Sequence, residues 1–175
     1  MARDMTKGRI LPQMTAFAIP LILGNLFQIL YNATDSIIVG KFVGDDALAA
    51  VGTAGPIMNM AILFISGMCM GAGILMSTLY GAKDMKNLEK QISTTLIGGL
   101  VFSLLIAFLM IVFAVPILRL INSPEEIIGS AAIYLRVVFL GLIFTFVYNF
   151  LANTLRALGD SRTPLYFLVI SAFLN

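Results

Sequence analysis

The 175-residue chain is 59% hydrophobic and 11% charged, with a formal net charge of +2 and a mean hydropathy of +0.99. A charged fraction so far below the roughly 25% of soluble domains excludes an ordinary water-soluble fold and defines an all-α integral membrane protein. Histidine is absent and Cys69 is the one cysteine, which removes imidazole-based triads, zinc sites of the HExxH kind and any disulfide within the chain.

Arg3, Lys7 and Arg9 precede an apolar run. That run is too long and too polar along one face for a cleaved signal peptide, so it is read as an uncleaved first helix, residues 11–40, with Pro20 expected to bend it. The helix carries Asn25, Gln28, Asn32 and Asp35. At about 100° per residue these four fall within an arc of roughly 80°, with Leu23, Leu26, Leu30, Ala33 and Ile37 opposite. A carboxylate such as Asp35 costs about 2.5–3.5 kcal/mol mid-bilayer on insertion scales and is expected to face a bundle interior or a wet cavity. Asp35 is therefore the first candidate functional residue. The plainer reading is that it reaches the interface or hydrogen-bonds a neighbouring helix.

A short link, Lys41 to Asp46, leads into a second helix over 47–80, with a bend or break expected near Gly55 and Pro56. Gly67 and Gly71, then Gly73, Ser77 and Gly81, place small residues at the spacing that lets helix backbones approach closely. The same helix holds Met58, Met60, Met68, Met70 and Met76, read first as apolar filler and second as an adaptable surface for varied ligands. Residues 81–91 are read as the next connection and 92–118 as the third helix. Asn122, Ser123 and Pro124 then mark a turn. The fourth helix covers 127–155, and after the loop 156–163 Thr163 and Pro164 look like an N-cap and first position of a fifth, 164–175. Twelve residues at 1.5 Å each make about 18 Å, little more than half a bilayer core. The fifth helix is thus expected to be incomplete and the chain to be part of a longer protein.

Orientation follows from basic residues, which stay cytoplasmic. Arg3, Lys7, Arg9, Lys83, Lys86, Lys90, Arg156 and Arg162 lie on one side, against Lys41, Arg119 and Arg136 on or near the other. The expectation is a multi-pass protein of the cell membrane with its N-terminus in the cytoplasm.

Several patches together resemble the multidrug and toxic compound extrusion (MATE) transporters. They are Pro20 with the polar stripe ending at Asp35, then Val39-Gly40, Gly44 and Ala47-Leu48-Ala49-Ala50-Val51-Gly52. Further on come Ser77, Tyr80-Gly81-Ala82-Lys83-Asp84, Tyr134-Leu135-Arg136, and Leu155-Arg156-Ala157-Leu158-Gly159-Asp160-Ser161-Arg162-Thr163-Pro164. Thr78 and Ala157 depart from the family, which often has Gln and Gly there. The resemblance implies twelve helices in two six-helix lobes, of which this chain supplies four helices and part of a fifth, the second lobe being absent. It also implies export of organic cations and other amphipathic compounds in exchange for Na⁺ or H⁺, with no other cofactor, no nucleic acid and no enzymatic activity, by a monomer in a lipid bilayer. Asp35 matches the family's acid of helix one and Asn175 the asparagine of helix five. With Asn32 they form the expected cation or proton site, and Gln28, Asn25 and Tyr31 the expected substrate cavity. Rival readings are a lipid-linked saccharide flippase, for which Arg136 is the one cationic candidate inside a span, and a non-transporting membrane scaffold.

Overall fold

The computed structural model describes residues 10–42 and 45–174, with the side chains of 10, 32, 35, 36, 39, 40, 42, 45–48 and 172–174 outside the description. Seven helices follow one another: α1 Ile10–Phe42, α2 Asp45–Gly81, α3 Met85–Val112, α4 Ala114–Leu120, α5 Glu125–Leu140, α6 Leu142–Ala157 and α7 Arg162–Leu174. Three stretches, Leu11–Tyr31, Ala49–Gly81 and Met85–Val112, are each long and apolar enough to cross a membrane. α5 and α6, bent by 42° at a short break, are long and apolar enough to cross only when taken together.

The helix bounds differ from the sequence reading in instructive ways. α2 runs through Gly55 and Pro56 as one helix, without the break that was one of the two outcomes expected there. α3 begins at Met85 rather than Ile92, because the Asp84 carboxylate accepts the backbone N–H of Asn87 and starts the helix while the chain is still polar. Its other end comes at Val112, short of the expected Leu118, and the chain resumes as α4. Pro116 explains the break: it offers no N–H to the Val112 carbonyl, and its ring crowds the turn before it. The freed helix end is served from elsewhere, since Arg136 of α5 donates from Nε to the Ile111 carbonyl at 3.4 Å.

The bend between α5 and α6 lies at Gly141, whose N–H turns from the Val137 carbonyl at 3.4 Å to that of Val138 at 3.0 Å. The last turn tightens and the axis swings. A Cβ there would meet the Val138 carbonyl oxygen at 3.2 Å, so the tightened turn favours glycine.

Three turns share one geometry. Lys83, Asn122 and Gly159 have φ of 58°, 55° and 87°. In each, the next residue's N–H reaches five residues back, Asp84 to Leu79, Ser123 to Leu118 and Asp160 to Leu155. These are left-handed caps that satisfy the last carbonyls of α2, α4 and α6.

The described residues sort into two compact units, one drawn from residues 10–34, Cys69–Thr95 and residues 150–174, the other from residues 35–42, residues 45–68 and Leu96–Asn149. In the first, Cys69, Met76, Leu88, Phe150 and Ala152 are buried, and α1 meets α7 where Leu165 approaches Gly24. In the second, α2 buries Ala50, Ala54, Ala61 and Ile65 on one face, against a core that includes Ala107, Leu118, Leu135, Phe139, Leu142 and Phe146. Alanine on that face keeps the side chains short where neighbouring helices approach.

Candidate functional site

The predicted site divides between described and undescribed groups. Asn32 and Asp35 lie on α1, but their side chains fall outside the described residues, and so does Asn175 altogether. Of the remaining stripe, Asn25 and Gln28 are exposed and Tyr31 is half-buried. The packed side of α1 runs through Gln13, Pro20, Gly24, Phe27 and Tyr31, all partly covered. At about 100° per residue this side lies next to the polar stripe rather than beneath it. Leu23, Leu26 and Leu30 on the far side are exposed as well. Asn25 and Gln28 thus form an open polar edge beside the α1 and α7 contact.

The other expectations on α2 need correcting. A Cβ added at Gly67, Gly71 or Gly81 would meet nothing within 4 Å, so this small-residue row is an open face. Close approach occurs elsewhere. At Gly73 a Cβ would touch the Cβ and backbone oxygen of Asn153 at 3.5 and 3.6 Å, and at Gly99 it would run into the Phe146 ring. The methionines divide in the same manner. Met76 is fully buried and accepts a hydrogen bond from the Thr154 hydroxyl at 3.6 Å, whereas Met60 and Met70 are exposed.

A polar row on α6 escaped the sequence reading. Thr145, Asn149, Asn153 and Arg156 recur at helical spacing on the side that also carries the buried Leu142, Phe146 and Ala152. In the second unit, the Ser66 hydroxyl donates to Asn149 Oδ1 at 3.3 Å, Asn149 Nδ2 donates to the Thr145 carbonyl at 2.9 Å, and Thr145 Oγ1 to the Gly141 carbonyl at 3.4 Å. Such back-bonding to carbonyls one turn earlier bends helices, and here it follows directly on the Gly141 bend. In the first unit, Asn153 lies against Gly73, and Arg156 ends the helix. The signal was present: three neutral polar residues and then an arginine at intervals of four, four and three along an otherwise apolar run.

Two further features are structural. Arg136 is exposed and donates from Nε to the Ile111 carbonyl of α3. An open cleft of about 480 Å³ at the α3 and α4 break is lined by Leu109, Met110, Phe113, Pro116, Ile117 and Leu120, all apolar.

The loop before α7 is held by Asp160. Its Oδ1 accepts the N–H groups of Arg162 and Thr163 at 3.0 and 3.1 Å, and its Oδ2 accepts the Thr163 hydroxyl at 2.7 Å. Asp160, not Thr163, is therefore the capping acceptor, and α7 begins at Arg162. Partial burial raises the Asp160 pKa, but the bonds from Thr163 and Arg162 outweigh it and hold the carboxyl below its ordinary value.

Several apolar spans, a polar row along the packed side of α6 and the exposed Asn25 and Gln28 of α1 define a polytopic helical membrane protein. The MatE family model matches residues 20–175, and the chain belongs to that family. It is 35% identical over 176 residues to the probable multidrug resistance protein YpnP of Bacillus subtilis, covering 99% of this chain and 39% of that protein. To the probable multidrug resistance protein YoeA of the same organism it is 34% identical, covering 97% and 37%. The multidrug export protein MepA of Staphylococcus aureus is 23% identical, at 97% and 38% coverage. A crystal structure of MATE in complex with MaD3S superimposes with a TM-score of 0.91 at 24% identity, over 99% of this chain and 40% of that one. A MATE structure in the bent conformation gives 0.88 at 25% identity. The chain spans about two fifths of the length of the curated relatives it matches.

Proposed function

We propose that the protein to which this chain contributes exports amphipathic organic cations across the cell membrane in exchange for Na⁺ or H⁺, with Asp35 as the exchange site. The observation that supports the reading most is the 35% identity, over essentially the whole chain, to a relative named as a probable multidrug resistance protein. The exposed Asn25 and Gln28 agree with it, because α1 presents a polar edge toward open space in the stretch leading to Asp35.

The mechanism follows from the cost of charge in a bilayer. A carboxylate there is stabilised by whatever neutralises it, be it a proton, Na⁺ held by carboxylate and amide oxygens, or a cationic substrate. Asn32 and Asn175 are the amide donors we assign to that site, and Gln28, Asn25 and Tyr31 the lining of the substrate cavity. Ligands competing for one carboxylate become coupled when two conformations prefer different ligands. The basic residues of the 82–91 and 156–163 segments set the orientation with the N-terminus inside.

The test is efflux of a cationic dye from vesicles under an imposed Na⁺ or pH gradient. Asp35→Asn is expected to abolish gradient-driven efflux at unchanged membrane insertion. Undiminished efflux at normal expression would remove Asp35 from the site.

A further inference from the structure

We propose that Arg156 anchors a binding site for a phosphate-type oxyanion at the end of α6, independent of the transport site. The Nε of Arg156 is shielded from solvent and has no hydrogen-bond partner among the described residues. A guanidinium stays protonated under all relevant conditions, and a buried N–H without an acceptor costs about 1–3 kcal/mol, more when charged. An unpaired group of this kind calls for an explanation.

The neighbouring acids do not provide one. Both Asp160 oxygens are taken up by Arg162 and Thr163, and both Asp84 oxygens by Asn87, so each caps a helix of its own. The ion pair found among the described residues joins Arg119 and Glu125. Arg156 is therefore a cation with neither an acid nor a carbonyl on its inner nitrogen.

The 82–91 and 156–163 segments are cationic on balance. Lys83, Lys86, Lys90, Arg156 and Arg162 outnumber Asp84, Glu89 and Asp160 there. Basic residues gathered at the ends of membrane helices are the setting in which anionic lipid headgroups are held. The planar fork of arginine suits two oxygens of one phosphate better than a point charge would. The phosphate can come from an anionic phospholipid or from free phosphate, and the experiment separates the two.

The purified, delipidated protein is followed by thermal unfolding with dioleoyl-phosphatidylglycerol, dioleoyl-phosphatidylcholine or inorganic phosphate added. A site at ten times its Kd raises the midpoint by about 3–6 °C. We expect that rise with phosphatidylglycerol if the source is lipid, with inorganic phosphate as well if it is free phosphate, and not with phosphatidylcholine. Arg156→Gln is expected to lose the rise, and Arg156→Lys, which keeps the charge should the first variant fold poorly, to lose at least half. Lys86→Gln and Arg162→Gln, both exposed cations, keep it. No rise in the unaltered protein with either phosphate source overturns the site. So does an undiminished rise in Arg156→Lys, or an equal loss in the Lys86 and Arg162 variants, which would show diffuse surface charge.

Discussion

Replacing Asp160 by alanine tests whether one carboxylate holds the start of α7. The side chain accepts two backbone N–H groups and the Thr163 hydroxyl, while its own N–H, which closes α6 on the Leu155 carbonyl, survives the change. Losing an N-cap costs about 0.5–2 kcal/mol, and three charge-assisted bonds put this case near the upper end. For a chain of this length about 2 kcal/mol lowers the unfolding midpoint by roughly 4–8 °C. Asp160→Asn keeps one acceptor oxygen and should lose about half as much. The pH dependence has a definite sign. The folded pKa is lowered, so the contribution is complete above the ordinary carboxylate value of about 3.9 and is lost as pH falls through the folded value. The stability difference between the native chain and Asp160→Asn, measured by thermal unfolding in detergent, should therefore shrink only on strong acidification. An alanine variant melting within 1 °C of the native protein, or a difference independent of acid pH, refutes the assignment.

Gly99→Val should destabilise by about 1–3 kcal/mol, because its side chain must displace the buried Phe146 ring, whereas Gly67→Val, facing open space, should lie within about 0.5 kcal/mol of native; equal effects would count against the close α3 and α6 contact and the open α2 face. Lys83→Gly should raise stability by about 0.5–1 kcal/mol, since φ is 58° there, and a lower melting point would show that the lysine side chain matters more than the backbone. Cysteines at Asn87 and Glu126, in a chain with Cys69 replaced, should be labelled by an impermeant reagent from the cytoplasmic and outer faces respectively, and external labelling at Asn87 would invert the topology. Ser161 suits that experiment poorly because it is buried.

Charge segregation along the chain announced most of the spans, because charged residues are excluded from about 20 apolar positions per helix. The break at Phe113 was hidden, since Pro116 sits in a run that is apolar on both sides and composition does not register a missing N–H. The Gly67 and Gly71 spacing misled for a related reason. Alanines at 50, 54 and 61 do the close packing, and alanine in a membrane helix looks like any other apolar residue. On α1 the polar edge could be read from helical periodicity, but which neighbour covers which side depends on contacts with α7 that no local pattern encodes. Thr163 was mistaken for the cap because it precedes a proline, whereas Asp160 reaches the same N–H groups from further back.

Asp84 and Asp160 are each the hinge pin of a hairpin. In both cases the backbone N–H closes the helix that ends while the carboxylate opens the helix that begins, within a connection of three or four residues. Such a turn carries few polar backbone groups in need of water, so it can lie close to the lipid headgroups during insertion, and the paired helices can enter the bilayer together. It also leaves no slack. An epitope tag or a few added residues at either turn would separate the aspartate from one of its two helices, so these joints should be the least permissive places in the chain for insertions.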